Sequence, residues 1–159
     1  MTTDKINFQI RLAKDNDLAV VEHLWIDGLR QTYPDIIISN DIIELFRSNF
    51  KKRNKSFNFW VAETNLVIGW CSILPAFSHP FKQNSSAEVS TYIDKEFSKN
   101  GVGTHLMQFV FEELKGKEIE NVYGFANPKN LKSIKMCENA GMKICGQTST
   151  RVILIRENL

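Results

Sequence analysis

Apolar and polar residues fall into two rhythms along this chain, alternation and helical recurrence, and the order in which they appear predicts the elements. Phe8, Ile10 and Leu12 alternate with Gln9 and Arg11, which predicts a short first strand with one face inward. Asp15, Asn16 and Asp17 offer capping oxygens before Leu18, Val21, Leu24, Trp25 and Leu29, so a helix is expected over 17–31, ending near Tyr33-Pro34. A second cap, Ser39-Asn40-Asp41, precedes Ile42, Ile43, Leu45, Phe46 and Phe50, the apolar side of a second helix. The β-branched and aromatic runs at 57–63 and 66–77, parted by Thr64-Asn65, predict an antiparallel hairpin. Pro75 and Pro80, with Ser78 and His79, then open a loop to about residue 86 that carries Phe77 and Phe81.

The second half continues in the same way. Val89, Thr91 and Ile93 alternate with Glu88, Ser90 and Tyr92, which predicts a strand ending near Asp94. Val102, Leu106, Phe109, Val110 and Leu114 recur at helical steps, a strand is expected at 121–126, and Asn127-Pro128 opens a fourth helix over 129–139, with Gly141 suited to the residue past its end. Segments 142–147 and 151–156 form a closing hairpin. One strand-helix-strand unit at 88–126 among otherwise antiparallel strands implies an α/β (α+β) fold, a mixed and mostly antiparallel sheet of about seven strands with helices on both faces. A chain of 159 residues is expected to make one domain, 1–159.

Composition narrows the classes. Hydrophobic residues at 43% and charged residues at 24% are globular values, and no stretch approaches the roughly 20 apolar residues of a membrane span, so no membrane partner is expected. The polar start, Met1-Thr2-Thr3-Asp4-Lys5, lacks a signal peptide's apolar core, and a soluble, cytoplasmic protein is expected. A net charge of +2 argues against nucleic acid despite the local run Lys51, Lys52, Arg53, Lys55. Cys71, Cys137 and Cys145 are odd in number and lack ligand spacing, so buried reduced thiols are expected, with no disulfide and no metal site.

Between the strand ending near Asp94 and the following helix stand Gly101 and Gly103. A glycine-bearing turn that feeds a helix leaves backbone N–H groups unpaired and aimed at one point, where the helix dipole adds positive character; Lys99 adds a cation. This is a phosphate site made of main chain. The dinucleotide fingerprint fails, because Leu106 stands where its third glycine belongs, and no Gly-Lys-Ser/Thr closes a Walker loop.

The segment Ser98-Lys99-Asn100-Gly101-Val102-Gly103 resembles the acyl-CoA-binding loop of the GNAT family of N-acetyltransferases, Arg/Gln-x-x-Gly-x-Gly/Ala, with a serine at the Arg/Gln position. Downstream, Asn130-Leu131-Lys132-Ser133 through Gly141-Met142 is similar to the family's Asn-x-x-Ser-x-x-x-Tyr-x-x-x-Gly-Phe: Asn130, Ser133 and Gly141 match, Met142 replaces Phe, and Cys137 replaces Tyr. The order Ala87-Glu88-Val89-Ser90-Thr91-Tyr92-Ile93 looks like the phosphinothricin acetyltransferase branch.

That resemblance implies a sheet splayed open between its two middle parallel strands, where the pantetheine arm of acetyl-CoA, the co-substrate, inserts. Tyr92, Ile93 and Asp94 would line the arm, Lys99, Asn100, Gly101, Val102, Gly103 and Thr104 would hold the diphosphate, and Asn130 and Ser133 would touch the far side of the coenzyme. An amine would attack the thioester directly, with a main-chain N–H near Ile93 polarising its oxygen. Glu88 is the candidate base, as a glutamate at this position is proposed to be in that branch, and His79 in the rim loop is a second. His23 and His105 fall inside helices and read as structural.

With Cys137 at the tyrosine position, three alternatives stand: the thiolate leaves to solvent, Tyr92 or Tyr123 supplies the proton, or the chain binds coenzyme without efficient transfer. The leading expectation is an acetyltransferase acting on the primary amine of a small molecule, an amino acid or related antimetabolite. A regulatory acyl-CoA-binding module, and an acetyltransferase for a protein or charged tRNA, are the alternatives. The family also implies a possible homodimer.

Overall fold

A computed structural model describes residues 6–77 and 81–157. In chain order the elements are β1 (Gln9–Leu12), α1 (Leu18–Thr32), α2 (Asn40–Lys51), β2 (Asn58–Glu63), β3 (Val67–Pro75), β4 (Ser86–Ile93), α3 (Val102–Glu113), β5 (Asn121–Ala126), α4 (Leu131–Asn139), β6 (Lys143–Gln147) and β7 (Val152–Glu157). The seven strands form one sheet in the order β1-β2-β3-β4-β5-β7-β6. Only β4 and β5 run parallel; every other neighbouring pair is antiparallel.

Several boundaries differ from expectation for local reasons. Asp17 does not open α1 but closes a short 3-10 turn, where its buried carboxylate accepts from Arg11 Nη1 at 2.7 Å, Arg11 Nη2 at 3.1 Å and the Lys14 N–H at 2.7 Å. The fourth helix begins at Leu131 rather than 129 because Asn130 is its cap, accepting from the Ser133 N–H at 3.1 Å. β3 stops at Pro75, and β4 starts two residues before Glu88, since Ser86 is already paired with Asn121. Of the three cysteines, Cys71 and Cys137 are buried, whereas Cys145 is exposed. It lies on β6, an edge strand of the sheet, in which Gly146 alone is not exposed, beside a register shift between Ile144 and Gly146.

The two sheet faces carry separate cores. On one, α3 and α4 bury Val102, Leu106, Val110 and Cys137 against Cys71, Ile73, Ala87, Val89 and Val122. On the other, α1 and α2 bring Val21, Leu24 and Phe50 onto Phe59, Val61 and Trp70. β4 is shared: Ala87, Val89 and Ile93 belong to the first face, and by alternation Glu88, Ser90 and Tyr92 belong to the second.

Candidate active site

β4 and β5 pair at only three positions, Ser86 with Asn121, Ala87 with Val122 and Glu88 with Tyr123. Beyond Glu88 the strands part. β4 stays on β3 as far as Ile93, and β5 stays on β7 as far as Ala126, so the sheet opens into a V with its vertex at Glu88.

The register fixes what faces the opening. Asp94 N–H donates to Ile68 O at 2.8 Å and Ala76 N–H to Ser86 O at 3.0 Å, so the even-numbered residues of β4 turn their backbone groups toward β3. The odd-numbered ones turn theirs toward β5. Ala87 finds β5 there; the amides and carbonyls of Val89, Thr91 and Ile93 face the gap. The family resemblance points to the N–H near Ile93 alone. Period two would have found the other two.

A cleft of about 1150 Å³ runs from this gap to the start of α3 and along α4. Gly101 caps α3 in the left-handed conformation, at φ 71°, which an L side chain rarely adopts, and no side chain caps the helix. The first-turn N–H groups of Val102, Gly103 and Thr104 therefore have no intrahelical acceptor and no side-chain cap. His105 Nδ1 lies 2.9 Å from Gly101 O and its ring meets Phe8 edge-on, a structural role. Gly103 is a packing glycine: α4 sets Met136 where its side chain would go, and Ile93 Cγ1 would lie 3.3 Å from an added Cβ.

Of the residues expected at the coenzyme, Tyr92, Ile93, Lys99, Gly101, Gly103, Thr104, Asn130 and Ser133 line this cleft. Asn100 and Val102 do not, and the Val102 side chain is buried in the core. Asp94 is spent elsewhere: its N–H is bonded to β3 and its carboxylate accepts from the Glu96 N–H at 2.9 Å. Lys129, Lys132 and Lys135, which the sequence reading passed over, join Lys99 on the walls. Among the described lining residues none is acidic.

On the opposite face, Tyr92 stacks on Trp70 with centroids 5.0 Å apart and rings at 27°. It borders both the cleft and a smaller cavity of about 90 Å³, walled by Trp25, Phe46, Phe59, Trp70 and Leu74 with Asn49, Ser72 and Ser90. Trp25 and Phe46 stack at 4.3 Å. No described residue lining this cavity is charged, and the indole Nε1 of Trp70 is buried without a hydrogen-bond partner.

Glu88 shares that face with Tyr92 but lines neither cavity. Half-buried at the vertex, its carboxyl has a raised pKa because burial disfavours the charge; Arg151, whose guanidinium lies 5.3 Å from the centre of the Phe125 ring, opposes the shift. Burial, with Tyr33 and Glu88 nearby, pushes the Tyr92 phenol up to about 12, so it holds its proton at neutral pH. The Cys137 thiol is pushed up to about 11 by burial and then by Glu138, and it too stays neutral. His79 lies outside the described residues.

The sequence model of the Acetyltransferase (GNAT) family matches residues 19–142, and the chain belongs to that family. No curated protein sequence matches it. Among solved structures, a candidate phosphinothricin N-acetyltransferase is similar with a TM-score of 0.80 at 24% identity, covering 96% of this chain and 99% of that one. A phosphinothricin acetyltransferase from Sinorhizobium meliloti, solved in complex with AcCoA, gives 0.77 at 16% identity over 96% and 89% of the two chains. A ribosomal-protein-alanine N-acetyltransferase from Brucella melitensis gives 0.77 at 20% identity over 94% and 99%. At these identities the likeness is one of fold. Among the described residues no helix is long and apolar enough to cross a membrane, and no side-chain cluster suits a metal ion.

Proposed function

We propose that this chain is an acetyl-CoA-dependent N-acetyltransferase acting on the primary amine of a small molecule. One observation carries the reading: the amides of Val89, Thr91 and Ile93 face a gap that leads to the uncapped start of α3 and Lys99. An extended amide-bearing arm satisfies the first, and a diphosphate the second. The coenzyme supplies an activated acetyl thioester; the rest is positioning and proton movement by the protein.

One of the three gap-facing amides donates to the thioester oxygen as negative charge builds there. The amine nitrogen forms the new C–N bond, the C–S bond breaks, the ammonium proton passes to Glu88 and the thiolate takes a proton from water or from Tyr92 Oη. Position along β4 matters. At about 3.3 Å per residue, Glu88 stands ~16 Å from Ile93 but ~10 Å from Thr91. A base at Glu88 therefore works through ordered water, over a shorter path if the amide at Thr91 is the donor. The raised carboxyl pKa brings Glu88 closer to a useful base strength.

A small acceptor is favoured by the cavity beside Tyr92, which is compact, aromatic and free of charged lining residues among those described. It suits a neutral substituent and disfavours an acceptor with further cationic groups. A cytoplasmic setting belongs to the same proposal, supported by the exposed free thiol of Cys145. Calorimetry with acetyl-CoA tests the reading: micromolar binding is expected, followed by thiol release with an amine panel. Absence of coenzyme binding by folded protein would falsify it. The buried, neutral Cys137 supports a second reading, a coenzyme-binding regulatory module. Turnover of any amine that is lost in Glu88→Gln dismisses that alternative.

A further inference from the structure

The cavity beside Tyr92 is walled in part by a donor with nothing to bond. Trp70 stands on β3 with Phe59 and Tyr92 flanking its ring at centroid distances of 5.4 Å and 5.0 Å. The residue is 1% exposed, and its indole Nε1–H, which can only donate, has no hydrogen-bond partner among the described residues. A buried donor in that state costs free energy, which is why nearly all such groups are paired. Trp70 lines the cavity, where Asn49, Ser72 and Ser90 add polar side chains. Ser90 follows Glu88 on the same face of β4, about 7 Å along the strand, and Tyr92 borders the cleft. An amine held near Glu88 can therefore extend its substituent over Ser90 toward Trp70.

We infer that this cavity selects acceptor amines bearing a primary carboxamide, with the Trp70 Nε1–H donating to the carboxamide oxygen. The inference rests on the transferase reading above and names its acceptor class. Size sets the first limit. An apolar cavity of about 150 Å³ takes benzene, so one of about 90 Å³ takes about three or four heavy atoms, a carboxamide and its adjoining methylene. Charge sets the second: no described lining residue is charged, so a carboxylate or an ammonium there would lie without a counter-ion. Complementarity sets the third. A hydrocarbon group of the same shape leaves the indole unpaired and displaces any water bound to it, whereas the carboxamide oxygen accepts from Nε1 and its NH2 group donates to the oxygens of Asn49, Ser72 or Ser90.

The test compares γ-aminobutyramide with two amines of the same shape, γ-aminobutyrate and isohexylamine, each with homologues one methylene shorter and longer. The chain holds three tryptophans, so an isotope-labelled sample gives three indole N–H signals in NMR, and that of Trp70 is the one missing from Trp70→Phe. The carboxamide is expected to move this signal downfield, while the carboxylate and the hydrocarbon leave it in place. In thiol release with acetyl-CoA, kcat/KM for the carboxamide is expected to exceed that for either counterpart by at least about tenfold, the effect of satisfying one buried donor. The ratio should fall toward one in Trp70→Phe, and a ratio taken within one protein is insensitive to general damage. Should Trp70→Phe fail to fold, Ser90→Leu, which intrudes on the cavity from β4, is expected to remove both effects. A Trp70 signal that ignores the carboxamide, or moves equally with isohexylamine, overturns the inference. So does a ratio near one in the unmodified chain, or one that survives Trp70→Phe. The NMR readout needs no turnover: a shifted Trp70 signal in a chain that binds no acetyl-CoA would sink the transferase reading and leave the carboxamide contact standing.

Discussion

The ring of Tyr92 fills the space that a side chain at residue 28 would need: a Cβ added to Gly28 would lie 2.9 Å from Tyr92 Cε1 and closer still to Cδ1. This contact presses α1 onto β4 at the point where the cleft and the aromatic cavity meet. Gly28→Ala is therefore expected to destabilise the protein by about 1–3 kcal/mol, as overpacking does, despite alanine's better helix propensity. Adding Tyr92→Ala should turn the sign, so that Gly28→Ala becomes neutral or stabilising in that background. Thermal unfolding of the four proteins in the cycle measures the coupling; additive effects would show that the ring yields freely.

Glu88→Gln is expected to lower kcat/KM for an amine by about 10²–10⁴-fold, the usual span for a lost general base, with acetyl-CoA affinity unchanged. The pKa of Glu88 is raised, so activity should rise with pH along a limb lying above the ordinary carboxylate value of about 4.3. That limb should vanish in Glu88→Gln. Stability should move the opposite way. A raised acid binds its proton more tightly in the folded state, so its contribution is lost as pH rises through the folded pKa. The glutamine variant should gain on the parent above that pH, in thermal melts run across the range.

Gly101 offers a cleaner probe of the phosphate loop than Gly103. A side chain at Gly103 meets Met136 and disturbs α3 against α4, so a binding defect there reports packing as well as ligand contact. At Gly101 the nearest atom to an added Cβ is His105 Nδ1 at 3.6 Å, and only the left-handed backbone objects. Gly101→Val should cost roughly 1–3 kcal/mol of backbone strain, tilt the first amides of α3 and weaken acetyl-CoA binding at least about tenfold, while strand signals in circular dichroism persist. Unchanged binding would mean that the loop amides do not hold the ligand.

Away from the site, Arg11 ties Asp17 to Glu63, with Nη2 2.9 Å from Glu63 Oε1. Asp17 is buried and its pKa is lowered, chiefly by the hydrogen bonds from Arg11. The stability it contributes is present above the ordinary aspartate pKa of about 3.9 and disappears as pH falls through its lower folded value. Asp17→Asn should cost about 1.5–3 kcal/mol at pH 7, the range for charge-assisted hydrogen bonds, and flatten the acid side of the stability curve. A denaturant titration at pH 7 and pH 3 measures both.

Most of this architecture was legible in the sequence because burial is one-sided. β4 reads cleanly, since Ala87 and Val89 face one core while Ser90 and Tyr92 face the other wall, and α3 shows its stripe because Val102, Leu106 and Val110 all enter one core. The strand-to-helix loop was visible because Gly101 must be left-handed there. What stayed hidden depends on partners distant in sequence. That Asp17 belongs to a turn follows from Arg11 reaching it, and that Asp94 turns away from the cleft follows from Ile68 across the sheet. The cavity beside Tyr92 draws on five elements, α1, α2, β2, β3 and β4, so no local pattern announces it. Cys145 was misplaced because β6 is an edge strand exposed along nearly its whole length, which its apolar residues do not announce, although Gly146 does mark the bulge beside it.

Because the seam between β4 and β5 closes over only three residue pairs, the platform from β1 to β4 and the platform from β5 to β7 are joined by a short zipper at one end. An extended molecule that bonds to Val89, Thr91 and Ile93 would lengthen that zipper by the missing rungs. It would act as a borrowed eighth strand, welding the platforms from inside. Hydrogen exchange at those three amides, fast in the free protein, should slow together when the molecule is bound, while Ser90 and Tyr92, already bonded to β3, should change far less.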